Sequence, residues 1–199
     1  MSTSFLLSFL MLHVLFSGAS NAQTITCKVK TVNSGDTLTI SDKTGKTYKA
    51  RLYGIDAPEN KQKFGEQAHR MLFVMVRDKD IDVSVAGLDS RGLPYVHVYV
   101  NGASVNGAMV KSGYAWVLPE GCKDKPCETW RSFQVFASTN KKGFWQTPNA
   151  ESPWAWRKRK SKSEATANGW SDDDGNFTYT RSYARKVDTR KKTNKRRST

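Results

Sequence analysis

Three acidic residues and two arginines stand in short motifs whose residue types suit phosphate chemistry. Asp36 lies in the turn SGDT at residues 34–37. Arg51, Asp56 and Glu59 share the segment RLYGIDAPE, in which a strand pattern runs into a proline-containing turn. Arg91 follows in DSRGLPY, where a turn delivers it just before another strand pattern. The spacing predicts that folding brings these five side chains together.

The chemistry of such a cluster follows from its charges. Neighbouring carboxylates repel one another, so they protonate, separate or hold a cation. The motifs offer oxygen ligands without histidine or cysteine, and we therefore expect a hard ion, either calcium or magnesium. Arginine pairs bidentately with phosphate oxygens, so Arg51 and Arg91 suit the extra charge of a pentacoordinate phosphorus. With Glu59 orienting or deprotonating water, the set predicts metal-assisted cleavage of a phosphodiester.

Two of these residues also have purely structural interpretations. Asp36 could cap its own turn, because aspartate in such turns hydrogen-bonds the nearby backbone readily. Arg51 could be a structural arginine paired with Glu59, an arrangement that is compatible with catalysis. The joint presence of Asp36, Asp56 and Glu59 favours a functional cluster.

The elements that must position the cluster are short. Segments rich in Val, Ile, Thr and Tyr predict five strands, at residues 25–32, 37–40, 47–53, 81–85 and 93–100. Apolar residues at three- and four-residue steps predict helices at residues 66–77, 105–112 and 126–142. Five strands with helices after the third and the fifth favour an α+β fold, a five-stranded barrel of the oligonucleotide-binding (OB) type with about three helices.

At the level of motifs, the chain resembles the staphylococcal nuclease (thermonuclease) family, in its exported bacterial type. The resemblance rests on SGDT, RLYGIDAPE and DSRGLPY in this order and covers roughly residues 24–145. It implies an OB-fold barrel with three helices and calcium-dependent hydrolysis of DNA and RNA with little sequence preference. Family members of this type cut between phosphorus and the 5′ oxygen and leave 3′-phosphate ends.

The resemblance also implies residue roles. By positional match, one calcium ion would be bound by Asp36, Asp56 and the main-chain carbonyl of Ala57. The catalytic residues would be Arg51, Glu59 and Arg91. The rival interpretation is a non-catalytic nucleic-acid-binding OB-fold module, which would be expected to have lost at least one of these charged positions. Their presence favours the endonuclease.

The amino terminus predicts export. Residues 5–16 form an uncharged apolar run of the length of a signal h-region, and small residues lead up to Ala22. We expect a signal peptide at residues 1–22, a secreted or periplasmic protein and no stable membrane insertion after cleavage; a retained anchor is the alternative. An oxidising compartment makes a disulfide between Cys122 and Cys127 plausible, because the two flank a short turn-like segment. Cys27 is then expected to be a buried strand residue.

The positive charge is concentrated at the carboxyl end. The 199 residues carry a net charge of +14, and residues 157–199 hold fourteen Lys and Arg against five Asp and Glu. We expect an OB-fold domain at residues 23–156, followed by a basic, disordered tail at residues 157–199. Such a tail keeps the protein soluble, and a compatible second role is attraction to nucleic acid or to an envelope surface. The expected partners are DNA and RNA substrates, and the expected state is a monomer.

Overall fold

The structure is a computed structural model that describes residues 24–167 of the 199. The expected signal peptide at residues 1–22 and most of the expected tail, residues 168–199, lie outside the described residues. Within residues 24–167 the elements are, in order, β1 (Thr24–Ser34), β2 (Thr37–Ser41), β3 (Thr47–Leu52), β4 (Ile55–Asp56), α1 (Gly65–Val76), β5 (Asp80–Leu88), β6 (Pro94–Val100), β7 (Ala103–Ser104), α2 (Val105–Lys111), β8 (Trp116–Val117), α3 (Pro126–Thr139), a 3₁₀ helix (Gly143–Gln146) and α4 (Pro153–Ala167).

Five of the strands close into a barrel. The antiparallel order β3-β2-β1-β5-β6 is completed by a short parallel pairing of β3 with β6, in which Arg51 lies opposite Tyr95 and Leu52 opposite Val96. Register shifts in β1 and β5 bend these long strands, as closure of a small barrel requires. The predicted α+β OB fold is therefore confirmed, with α4 as an additional helix.

The barrel closure is held by a buried side chain from α2. Asn106 is fully buried, and its Oδ1 accepts the N–H of Val98 at 3.0 Å. Its Nδ2 donates to the carbonyls of Tyr53 at 3.0 Å and Val96 at 3.1 Å. The amide thus joins the end of β3 to β6 with its donors and its acceptor satisfied.

The core follows the periodicities of the sequence. Leu38 and Ile40 alternate on β2 and are buried inside the barrel. Ala68, Leu72 and Val76 recur every four residues on α1 and are fully buried. These helical and strand spacings are the ones that predicted the elements, and the observed bounds differ from the predicted ones by only a few residues.

A disulfide between Cys122 and Cys127 closes the loop before α3. Gly54 lies directly beneath it with φ +70°, and a Cβ there would approach the Cys122 sulfur to 2.5 Å. Only glycine combines this left-handed conformation with such close approach. Cys27 is buried on β1, and its thiol is free. Burial raises the pKa of this thiol above its usual value, so it behaves as a core residue.

The expected disordered tail is wrong for its first eleven residues, because α4 runs through residue 167. Pro153 occupies the first helical position, and the N–H of Ala155 lies 3.4 Å from the hydroxyl oxygen of Ser152. A serine followed by proline is a helix-start signal. Helix-favouring Ala, Arg, Lys and Glu then continue it. Within residues 24–167, no helix combines the length and the apolar character needed to cross a bilayer.

Candidate active site

Three of the predicted residues meet where β2, β3 and β4 come together. Arg51 Nη2 donates to Asp36 Oδ2 at 2.9 Å and to Asp56 Oδ1 at 2.8 Å, so one guanidinium nitrogen bridges the two carboxylates. Arg51 Nε adds a second contact to Asp36 Oδ2 at 3.2 Å. The pairing of β4 with β8 places Asp56 opposite Trp116 and fixes its backbone. Pairing of β2 with β3 brings Asp36 next to Arg51 across 15 residues of chain, whereas Asp56 follows Arg51 by only 5 residues.

The Asp36 carboxylate accepts hydrogen bonds both from its own turn and from the cluster. Its Oδ1 accepts the hydroxyls of Ser34 at 2.7 Å and Thr37 at 2.8 Å, which is the turn-capping role considered from the sequence. Its Oδ2 faces Arg51 and the N–H of Ala57, the latter at 3.4 Å. The turn therefore orients the carboxylate, and the turn-capping role is compatible with a role in the cluster.

Asp56 is the most deeply buried acid of the cluster, with a side chain only 1% exposed. Burial raises the pKa of this carboxyl above its ordinary value, and the nearby Asp36 carboxylate acts in the same direction. Hydrogen bonds and positive charge from Arg157 and Arg51 act against that rise. The site is therefore one in which a buried carboxylate requires a cationic partner.

Glu59 lies at the rim, with its side chain 37% exposed. A tight turn holds its backbone: the N–H of Gln62 donates to the Glu59 carbonyl at 2.7 Å, and the Glu59 N–H donates to Gln62 Oε1 at 3.2 Å. Gly65, at the start of α1, packs directly against this turn. Glu59 thus combines a fixed backbone with a side chain that solvent reaches, which suits a group that handles water.

The close packing of Gly65 gives a testable prediction. In Gly65→Ala, the new Cβ would overlap the carbonyl oxygen of Glu59 and lie 2.7 Å from its carbonyl carbon. Because backbone atoms must move, we expect turnover to fall by about 10-fold or more and unfolding free energy to fall by about 1–3 kcal/mol. Gly87→Ala is the control, since a Cβ there meets no atom within 4 Å. Equal turnover of the two variants in a nuclease assay, with equal thermal unfolding, would refute the packing argument.

Arg91 is the predicted site residue that the structure does not bring into the cluster. Its side chain is 83% exposed and lies 3.6 Å from Asp89 in its own turn. Asp89 Oδ1 accepts the N–H groups of Arg91 and Leu93, which lowers the pKa of Asp89 and stiffens the turn. Arg91 lines a surface groove together with Tyr48, Lys49 and residues 92–94. It therefore lies in the turn between β5 and β6, where its ion-pair partner is Asp89 and not a carboxylate of the cluster.

A second guanidinium nevertheless reaches the carboxylates, and it comes from α4. Arg157 Nη2 donates to Asp56 Oδ2 at 2.7 Å, and Nη1 donates to Glu59 Oε1 at 2.7 Å and to Asp56 Oδ1 at 3.2 Å. These bonds raise the pKa of Arg157. We call this set of three hydrogen bonds the Arg157 contact. The sequence signal that could have found it is the Ser152-Pro153 helix start one turn earlier.

Comparisons with known proteins identify a family model and several relatives that this chain matches. The family model described as staphylococcal nuclease homologue matches residues 49–147. An uncharacterized endonuclease of Haemophilus influenzae is 32% identical over 154 residues, which are 77% of this chain and 84% of that protein. An uncharacterized endonuclease of Escherichia coli O157:H7 is 34% identical over 134 residues, 67% of this chain and 85% of that protein. The staphylococcal-like nuclease CAN1 of Arabidopsis thaliana is 36% identical over 115 residues, 58% of this chain but only 35% of the plant protein.

An OB barrel carrying bridged carboxylates and arginines, together with these matches, defines a hydrolase of the nuclease class. More particularly, the chain belongs to the staphylococcal nuclease family, since it covers more than four fifths of two bacterial relatives at 32% and 34% identity. The family match ends at residue 147, ten residues before Arg157. Arg157 therefore lies after the range that the family model matches, whereas its partners Asp56 and Glu59 lie within it.

Proposed function

We propose that this chain is a calcium-dependent endonuclease that hydrolyses phosphodiester bonds in both DNA and RNA and leaves 3′-phosphate ends. The observation that carries the proposal is the bridging of Asp36 and Asp56 by one nitrogen of Arg51, with Glu59 at the rim of the same cluster. The OB barrel supports it further, because this fold presents a face and loops that bind oligonucleotides.

In the proposed reaction, Glu59 accepts a proton from a water molecule, whose oxygen attacks phosphorus. The bond between phosphorus and the 5′ oxygen breaks, the 5′ oxygen takes up a proton, and the phosphate stays on the 3′ side. Arg51 stabilises the charge that develops on the phosphoryl oxygens. Its Nε and Nη2 are held by carboxylates, while Nη1 forms no hydrogen bond to residues 24–167 and is left to donate to phosphate.

The proposed calcium site uses Asp36, Asp56 and the carbonyl of Ala57. This donor set fits a hard divalent cation, because it consists of oxygens and includes a buried carboxylate that requires positive charge. When bound, the ion would polarise a phosphoryl oxygen. Among residues 24–167, no group of three or more His, Cys, Asp and Glu forms a metal cluster. Water and substrate phosphate would therefore have to complete the coordination.

Arg91 enters the proposal as a residue that meets the substrate outside the carboxylate cluster. Its exposed guanidinium lines the groove beside Tyr48 and Lys49, so a nucleic-acid strand in this groove would bring a phosphate to it. We assign Arg91 to phosphate binding and transition-state stabilisation once the substrate is in place. Its loose ion pair with Asp89 permits such a change of partner.

The remaining parts of the proposal concern the location and the oligomeric state of the protein. We propose that residues 1–22 direct export, that the mature protein acts outside the inner membrane as a monomer, and that it has no stable membrane insertion. A disulfide at Cys122 and Cys127 supports an oxidising compartment. The charge of residues 157–199 would attract polyanionic substrates.

Digestion assays test the proposed activity. The protein from residue 23 to 199 is incubated with single- and double-stranded DNA and RNA, in calcium, in magnesium and in chelator. We expect cleavage of all substrates in calcium, none in chelator, and ends that a polymerase extends only after phosphatase treatment. DNA that stays intact with calcium but is retarded in a gel would instead support a non-catalytic binding module.

A further inference from the structure

The Arg157 contact occupies the carboxylate of Asp56, one of the three ligands that the proposed calcium ion would need. Arg157 engages both oxygens of Asp56, and Arg51 also binds Oδ1 of the same carboxylate. A carboxylate oxygen that accepts a charged hydrogen bond at 2.7 Å cannot at the same time coordinate a cation along that direction. Arg157 also holds Glu59 Oε1 at 2.7 Å, the oxygen of the group proposed to handle water.

The Arg157 contact attaches α4 to the active site. The first turn of the helix is also attached by Trp154, which lies edge-on to Trp116 with 6.5 Å between the ring centroids, and by the half-buried Trp156. The chain before the helix is fixed by Gln62, whose Nε2 donates to the Glu151 carbonyl at 2.7 Å, and by the buried Pro153. After Arg157, by contrast, the side chains of residues 158–164 are all exposed and are Lys, Arg, Ser or Glu. Residues 158–164 therefore add no buried apolar face that would hold the helix against the barrel.

We propose that Arg157 is an intrachain competitor of the divalent cation and that α4 closes the active site until the cation displaces it. This inference rests on the proposed calcium-dependent function. A guanidinium and a calcium ion compete for the buried Asp56 carboxylate, because both need its lone pairs and the two positive charges repel each other at such short range. The cation binds only molecules in which the contact is open. The apparent cation affinity is therefore the intrinsic affinity multiplied by the fraction of open molecules.

Calorimetric titration with calcium tests the proposal on the whole protein from residue 23 to 199. In Arg157→Gln, we expect the cation to bind about 10-fold more tightly than in the unaltered protein, within the usual range of coupling between sites. Arg159→Gln is the matched control, because it removes the same charge from the same helix while its partner is Glu151 and not the cluster. We expect its calcium affinity to stay within about 2-fold of the unaltered protein.

A third variant separates competition from general charge repulsion. Arg157→Lys keeps the positive charge but replaces the planar fork by a single ammonium, which cannot hold both Asp56 oxygens and Glu59 together. We expect its calcium affinity to lie between those of the unaltered protein and Arg157→Gln. If only through-space repulsion mattered, Arg157→Lys would match the unaltered protein, and the proposed competition would be wrong.

Amide hydrogen exchange gives a readout that is independent of catalysis. We expect calcium to speed exchange in residues 154–167 of the unaltered protein, whereas in Arg157→Gln exchange there is already fast without calcium. Measurable calcium binding of equal strength in Arg157→Gln and the unaltered protein would overturn the competition and leave the proposed calcium function standing. Absence of calcium binding in every variant would overturn both.

Discussion

Glu59→Gln is expected to lower the rate of phosphodiester cleavage by about 100-fold or more while the protein still binds DNA. The amide keeps the shape of the side chain and can still accept a hydrogen bond from Arg157 Nη1, which lies 2.7 Å from Oε1. It cannot accept a proton from water. A group that acts only in the transition state lowers turnover without a matching loss of substrate binding. Single-turnover cleavage and gel retardation at a fixed salt concentration measure the two effects separately.

A control for this variant is available on the neighbouring helix. Glu66→Gln removes a carboxylate of the same type that pairs with Arg70 on the exposed face of α1. An exposed pair of this kind contributes little to stability, so we expect turnover and thermal unfolding to stay unchanged. Glu59→Gln cleaving as fast as Glu66→Gln would exclude Glu59 as the general base.

Arg51→Lys is expected to cost both activity and stability, although the charge is retained. Arg51 holds Asp36 through Nε and Nη2 and reaches Asp56 through the same Nη2. An ammonium cannot reproduce this bridge and at the same time present a free donor to phosphate. Loss of one preorganised donor to the developing charge typically costs on the order of 100-fold or more in turnover.

The expected loss of stability in Arg51→Lys comes from the two carboxylates that Arg51 pairs with in the unaltered protein. Asp36 and Asp56 are both buried, and incomplete pairing of such groups costs about 1–3 kcal/mol. Chemical denaturation gives this value, and steady-state kinetics gives the change in turnover. Arg70→Lys is the matched control, because its partner Glu66 is exposed. A fully active and stable Arg51→Lys would show that the bridge is dispensable.

The barrel and the central part of the site could be predicted because their signals are local. Leu38 and Ile40 alternate, and Ala68, Leu72 and Val76 repeat every four residues, so burial follows directly from the pattern. Asp36 precedes β2 and Arg51 lies on β3, so the pairing of these two strands brings them together. Asp56 follows Arg51 by only 5 residues, so it remains near Arg51 without a long-range pairing.

Arg91 and Arg157 could each pair with several carboxylates, and the sequence does not show which carboxylate each of them binds. Arg91 remains in its turn because Asp89 binds both the turn backbone and the guanidinium. Arg157 stands in a run of basic residues, and such runs are usually solvated. It meets Glu59 across 98 residues of chain because the buried Asp56 requires positive charge. Only the assembled fold reveals that requirement.

Asn106 on α2 also contributes to the alignment of β3 with β6. The parallel β3–β6 ladder consists of two residue pairs, which is too short to select its own alignment. The buried amide supplies that selection, because its two donors and one acceptor fit a single alignment of Tyr53, Val96 and Val98. A slip by one residue would turn buried side chains such as Leu52 outward and carry Arg51 into the barrel interior. Asn106 thus helps to fix the position of Arg51 although its own hydrogen bonds go to Tyr53, Val96 and Val98 and not to the carboxylate cluster.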